Sequence, residues 1–259
     1  GQDMNTLPEL LSASASAHGG RDLFPGTMTY GDLARRADAV SKALAGQGAG
    51  PGQVLGLLAP NGPEWAAAFF GVLGTGAAVL PLDPHLGPEE RAHLLAQFGV
   101  EKVLGMNLPL EPTGPSGKPA GAKPGDLAVL IASSGTTGKP KGVMLSHANL
   151  TTNVRQFREV IAFSSEDAIL GLLPFHHVFP LTGCLLAAVS SGARVVVPES
   201  LRPPAILQAM AGGGVSFGLL VPGLLRLMAK GAERAGGAKV FGSALRTLLV
   251  GGAPCPLVL

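Results

Sequence analysis

A chain of 259 residues with 46% hydrophobic content is long enough to bury a sizeable core, in one large domain or two lobes. It holds 38 glycines and 22 prolines, but the apolar content excludes a disordered chain. A formal charge of +2 without a basic run gives no footprint for nucleic acid.

Residues 6–17 read as a short helix and Arg21 to Thr29 as a turn region. Thr29 is placed to cap a helix from Tyr30 to Ala45, with Leu33, Ala37, Val40 and Leu44 on one face. A strand is expected at Val54 to Leu58, a helix at Glu64 to Leu73, and a second strand at Ala77 to Leu82. Pro88 opens a helix to Phe98, and Val103-Leu104 is a short strand. Residues 107–125 are rich in Pro, Gly and Lys and read as an exposed linker. A buried strand follows at Leu127 to Ala132, a short one at Val143 to Leu145, and a helix at Ala148 to Ile161 with Ser146 as cap. Beyond it, strands near 168–173, 194–197, 215–221 and 245–250 alternate with helices near 181–189, 204–210 and 222–232. Alternation at this spacing predicts an α/β fold, mostly parallel sheets flanked by helices. The expected division is an N-terminal lobe over 1–106, the linker 107–125, and a second lobe over 126–259.

Two uncharged runs, Trp65 to Leu82 and Ala168 to Ala193, approach the length of a membrane span. Internal Gly and Pro in the first, and Pro174, His176, His177 and Pro180 in the second, suit buried elements better. No basic segment followed by an apolar core opens the chain, so no secretory signal is expected. Cys184 and Cys255 form neither a disulfide framework nor a metal-ligand motif, which fits a cytoplasmic protein. Peripheral membrane association and homodimer formation are both compatible with this composition.

The apolar run at 127–132 leads into Ser133, Ser134, Gly135, Thr136, Thr137, Gly138, Lys139, Pro140, Lys141 and Gly142. Glycines let a ligand approach the main chain, and successive N–H groups there can form a nest for an anion. Four hydroxyls and two lysines add donors, each bond to a charged group contributing about 1.5–3 kcal/mol. The stretch is not a Walker loop, because Ser133 and Pro140 stand where that pattern needs Gly and Ser or Thr. A plain Gly/Ser/Thr surface loop is the alternative. Its place after a buried strand favours a phosphate cradle.

SSGTTGKPKGVMLSH closely resembles the phosphate-binding signature of the adenylate-forming enzymes: acyl-CoA synthetases, adenylation domains and luciferases. Tyr30-Gly31-Asp32-Leu33, Pro60-Asn61-Gly62-Pro63-Glu64 and the Gly76 to Pro84 segment, in that order, are similar to the opening of an acyl-CoA synthetase. The resemblance therefore covers nearly the whole chain.

Leu173-Pro174-Phe175-His176-His177-Val178-Phe179-Pro180 taken alone reads as two histidines near a core. In acyl-CoA synthetases a Pro-aromatic-aromatic-His stretch lies here, and its histidine sits by the acyl carboxylate and α-phosphate. His177 matches that residue, His176 replaces an aromatic, and the pair is most similar to the long-chain fatty acid group. Gly251, Gly252, Ala253 and Pro254 would alone be a glycine turn after a strand. In the family a segment in this place lines the adenine and acyl pocket. Gly214-Val215-Ser216-Phe217-Gly218 fits the nucleophile-elbow pattern but lacks the strand before and helix after the serine that an elbow requires. Gly74-Thr75-Gly76 lacks the third glycine of a dinucleotide fingerprint.

The resemblance implies two-step activation of a fatty acid: ATP yields an acyl-AMP, and coenzyme A then takes the acyl group. Ser133 to Gly138 and Lys141 would grip the β- and γ-phosphates, His177 would act at the carboxylate, and Gly251 to Pro254 would frame the pocket. Mg²⁺ would bridge phosphates, with no side chain of this chain assigned to it. Adenylation of another carboxylic acid for a carrier protein, and a nucleotide- or acyl-binding module without catalysis, are the alternatives. The family's Tyr-Gly-x-Thr-Glu and Thr-Gly-Asp segments and its lysine-bearing C-terminal domain have no match in these residues. The chain thus reads as the front part of such an enzyme and is expected to be inactive alone.

Overall fold

A computed structural model describes residues 4–108, 120–133 and 140–254. The first part runs α1 (Leu7–His18), β1 (Asp22–Phe24), β2 (Met28–Thr29), α2 (Tyr30–Gly46), β3 (Val54–Leu57), α3 (Pro63–Gly74), β4 (Ala78–Pro81), α4 (Pro88–Gln97) and β5 (Val103–Leu104). Then come β6 (Leu127–Ser133), β7 (Lys141–Ser146), α5 (His147–Ile161) and β8 (Ala168–Leu170). α6 (Val178–Pro180) passes through a π-helical turn at Leu181–Leu186 into α7 (Ala187–Ser191). β9 (Arg194–Val196), α8 (Pro203–Gly212), β10 (Phe217–Leu220), α9 (Pro222–Ala235), a 3₁₀ turn at Ala238–Phe241 and β11 (Thr247–Val250) complete the order.

Helix starts follow local chemistry. Thr6, Thr29 and Ser146 each accept the backbone N–H three residues on, and Glu9, Asp32 and Asn149 accept the N–H of the cap in return, which satisfies two orphan donors at each end. α3 is buried from Trp65 to Leu73, with Trp65 stacked on Phe69 at 5.1 Å. It crosses α2 so closely that a Cβ on Gly71 would stand 2.4 Å from Val40 Cγ1. The uncharged run at 65–82 is this buried helix and the central strand β4. Among the described residues no helix is long and apolar enough to cross a membrane.

Two mostly parallel sheets result. One has the order β5-β3-β4-β6-β7 and the other β11-β10-β8-β9, with β7 the antiparallel member, paired to β6.

Several elements depart from expectation. Residues 21–29 form the β1–β2 hairpin rather than a plain turn region. The strand at 168 stops at Leu170 because the Asn61 side chain takes the carbonyls of Gly171 and Leu173. β6 is fully buried only at Ala128 to Leu130, since β7 beside it is an edge strand with Met144 70% exposed. β6 and β7 also follow the 107–125 stretch, of which 109–119 lie outside the described residues, yet they extend the first sheet. The compositional boundary there does not separate the sheets. β6 instead returns parallel to β4 through the Val79–Val129 register.

Candidate functional site

The C-terminal ends of β4 and β6 and the segment after β8 converge on one cavity of about 500 Å³, lined among others by Pro81, Asp83, Leu94, Ser133, His176 and His177. Strand carboxyl ends are where ligands of α/β sheets gather. Ser133 closes β6 opposite Lys141, the first residue of β7, and its hydroxyl donates to the Lys141 carbonyl at 3.2 Å. Ser133 and Lys141 are thus the two feet of a hairpin. Ser134, Gly135, Thr136, Thr137, Gly138 and Lys139, the body of the expected cradle, lie outside the described residues. Gln97 Nε2, at the end of α4, donates to the Pro140 carbonyl and anchors the returning strand from the side.

The two histidines differ in setting. His176 is the sheltered one, its side chain 10% exposed, with Nε2 3.9 Å from Asp83 Oδ2. His177 is exposed at the cavity, and the two rings lie 4.3 Å apart. Burial lowers the His176 pKa to about 4; His177 acts in the same sense and Asp83 opposes. His176 is therefore a neutral imidazole near neutral pH. Asp83 is held below the usual carboxylate range, foremost by the backbone N–H of His85, which donates to it at 2.8 Å. Glu90 also lines the cavity, but its Oε2 accepts the Gly87 N–H at 3.2 Å as part of the α4 cap.

The third expected segment meets the second. The Gly251 N–H donates to Leu220 O at 3.0 Å, and a Cβ on Gly251 would stand 3.4 Å from the Phe179 ring, two residues after His177. Gly252 has φ +79°, a left-handed conformation that favours glycine. Gly251 thus abuts the histidine segment, and none of Gly251 to Pro254 lines the cavity. The absence of a Cβ on Gly251 and Gly252 suits close approach of a flat ring.

Reasoning from sequence missed Asp83 and Asn61. Asp83 follows Pro81-Leu82 immediately after a buried strand, and that position was its only signal. The elbow pattern resolves as structure. Ser216 precedes β10 and donates to Asp167 Oδ1 at 2.7 Å, which Arg246 Nη2 also reaches at 2.9 Å. Burial alone would raise the Asp167 pKa, but the Ser164 N–H, Ser216 and Arg246 bring it below the usual range. Cys184 is buried, which raises its thiol pKa far above the ordinary value, and among the described residues no group of three or more His, Cys, Asp or Glu could hold a metal ion.

Two mostly parallel sheets flanked by helices, with Ser133, the partner of Lys141 across the hairpin, and the paired histidines gathered at strand carboxyl ends, define an α/β fold with its cavity at those ends. The chain belongs to the AMP-binding enzyme family, whose model matches residues 13–121 and 107–259, the adenylate-forming enzymes. It is 32% identical over 265 residues to a feruloyl-CoA synthase from Amycolatopsis sp., covering 94% of this chain and 52% of that protein. It is 33% identical over 227 residues to tyrocidine synthase 3 of Brevibacillus parabrevis, covering 77% of this chain and 3% of that protein. Among solved structures, the nonribosomal peptide synthetase FmoA3 in its AMPPNP-bound form matches at TM-score 0.85 and 28% identity, over 98% of this chain and 29% of that one. Relatives thus include CoA ligases and nonribosomal peptide synthetases, and the chain spans about half the length of the feruloyl-CoA synthases it matches.

Proposed function

We propose that this chain forms the nucleotide- and acid-binding part of an enzyme that activates a medium- or long-chain fatty acid with ATP and transfers it to coenzyme A. A carboxylate oxygen attacks the α-phosphorus, the bond to pyrophosphate breaks, and acyl-AMP forms. The thiolate of coenzyme A then attacks the acyl carbon and AMP leaves. The observation that carries this reading is the cavity shared by Ser133, His176 and His177 beside the cradle sequence. Neutral His176 imposes no charge on the acid, while the exposed His177 can donate a hydrogen bond to the carboxylate or the α-phosphate as charge develops. Lys141, at the foot of the hairpin, would meet the outer phosphates, and Gly251 to Pro254 would border the adenine. Mg²⁺ would supply charge neutralisation between phosphates, arriving with the nucleotide.

Pro81, Leu86 and Leu94 give the cavity apolar walls, which suits a hydrocarbon chain. No Asp or Glu occurs between Asp167 and Glu199, but Asp83 and Glu90 do line the cavity, so the choice between a fatty and an amino acid rests on the assay below. An aryl acid is the second reading, favoured by the likeness to feruloyl-CoA synthase. The test is pyrophosphate exchange by the whole protein carrying this sequence, with ATP, Mg²⁺ and a panel of fatty, aryl and amino acids. Exchange strongest with fatty acids is expected. Exchange with amino acids but none with fatty acids overturns the acid assignment, and no exchange with any acid overturns the activity.

A further inference from the structure

Asn61, four residues beyond the last residue of β3, joins the two sheets through one side chain. Its Nδ2 donates to the carbonyls of Gly171 at 3.1 Å and Leu173 at 2.8 Å, and its Oδ1 accepts the Phe175 N–H at 2.8 Å. Two acceptors and one donor fix the amide orientation, and a carboxamide carries two donors and an acceptor on one planar group. A carboxylate would face two carbonyls with no proton to offer. The same stretch adds a second hold: the Trp65 ring, early in α3, meets the buried Phe175 ring edge-on at 5.4 Å. What these contacts fasten is the segment that ends in His176 and His177. Asn61 itself does not line the cavity, and the chemistry above does not use it.

We propose that Asn61 is a positioning residue: from the first sheet it sets the 171–175 segment of the second, and so aims His176 and His177 into the cavity. The inference rests on reading that cavity as the acid site. Without the amide, three backbone groups lose their partners, and β8 is free to run past Leu170. The histidines then shift although nothing in the cavity wall has changed. Displacement of a catalytic group by about 1 Å costs up to about a hundred-fold in rate.

The test compares Asn61→Ala and the milder Asn61→Ser with Leu11→Ala, a core truncation in α1 away from the cavity, all in the whole protein. One readout is the imidazole titration of His176 by NMR, assigned with His176→Gln. The other is kcat and KM for pyrophosphate exchange with the best acid of the panel. In wild type and Leu11→Ala, His176 should titrate near 4. In the Asn61 variants it should rise toward the ordinary value of 6.5 as the ring gains water. Their kcat should fall about ten- to hundred-fold with KM for ATP within about two-fold of wild type. An unmoved His176 titration, or a kcat no lower than that of Leu11→Ala, overturns the proposal. Failure of both Asn61 variants to fold overturns it too, because the side chain then holds the fold rather than the loop. If wild type shows no exchange with any acid, the functional reading has failed and the His176 titration alone decides the role of Asn61.

Discussion

His147 should make this protein acid-labile. It opens α5 with no exposed surface, and its Nδ1 accepts the backbone N–H of Leu7, the first residue of α1, at 3.2 Å. An accepting Nδ1 requires a neutral ring with its proton on Nε2, and Nε2 is buried with no hydrogen-bond partner among the described residues. Burial lowers the His147 pKa to about 4, against weaker opposing pulls from Asp126 and Glu9. As pH falls through 6.5, the ordinary value, the unfolded chain takes up a proton that the folded chain refuses until about 4. Stability is therefore lost as pH falls across that window and is insensitive to this group above it. The interval of roughly 2.5 pH units corresponds to about 3 kcal/mol once traversed, a large share of the ~5–15 kcal/mol that holds a typical domain. His176 contributes with the same sign, since its pKa is also lowered to about 4, so the wild-type curve alone is not diagnostic. Urea unfolding from about pH 8 to about pH 4 should be run on wild type and on His147→Gln, which keeps an acceptor for Leu7 but cannot be protonated. The gap between the curves should narrow by about 3 kcal/mol toward acid pH. Parallel curves would refute the reasoning.

Gly71→Ala should destabilise by about 1–3 kcal/mol through overpacking against Val40, read as a lower urea midpoint at unchanged slope; an unmoved midpoint would mean that α2 and α3 can part at no cost. Ser216→Ala should cost about 1–3 kcal/mol, because Asp167 and the Ala168 N–H lose a buried partner. It should leave pyrophosphate exchange intact once stability is restored, and a selective loss of exchange would return Ser216 to the list of functional groups. Lys141→Ala in the whole protein should weaken ATP more than AMP in calorimetry, since the outer phosphates are its assigned partners. Equal losses would remove Lys141 from that role.

What the sequence disclosed is what neighbours in sequence decide. The Thr29/Asp32 cap of α2 was legible because both partners lie within one turn, and so was the cap of α5 by Ser146. The strand β6 that leads into the Ser/Thr/Gly/Lys stretch was legible as an apolar run, while the body of that stretch lies outside the described residues. Features built by distant partners were not. Strand β8 was read three residues too long, because the group that takes its carbonyls lies 110 residues earlier at Asn61. Which of two adjacent histidines is buried depends on how Asn61 and Trp65 seat the chain, and no local pattern encodes that. The Pro/Gly-rich stretch looked like a boundary between lobes, yet β6 beyond it pairs with β4, a non-local register that composition cannot carry.

The direction of β7 has the largest consequence for how an anion could be held. In a Walker-type loop the strand leads through the glycines straight into a helix, whose N-terminal N–H groups and dipole add to the grip. Here Ser133 pairs with Lys141 and Leu127 with Ser146, so the chain runs back along the whole of β6 before α5 begins. Six residues of β7 at about 3.4 Å each span roughly 20 Å, twice the ~10 Å screening length at 0.1 M salt. The positive end of α5 therefore lies at the far edge of the sheet and contributes little at the hairpin. Its first turn is occupied by its own cap, with the Ser146 hydroxyl accepting the Asn149 N–H at 3.1 Å. Among the described residues, Lys141 is the cation at the foot of the hairpin opposite Ser133, and the α5 N-terminus is remote from both. If the connection holds an anion, as proposed above, its two lysines, four hydroxyls and three glycines would have to do so without the helix N-terminus that a Walker-type loop uses beside its single lysine.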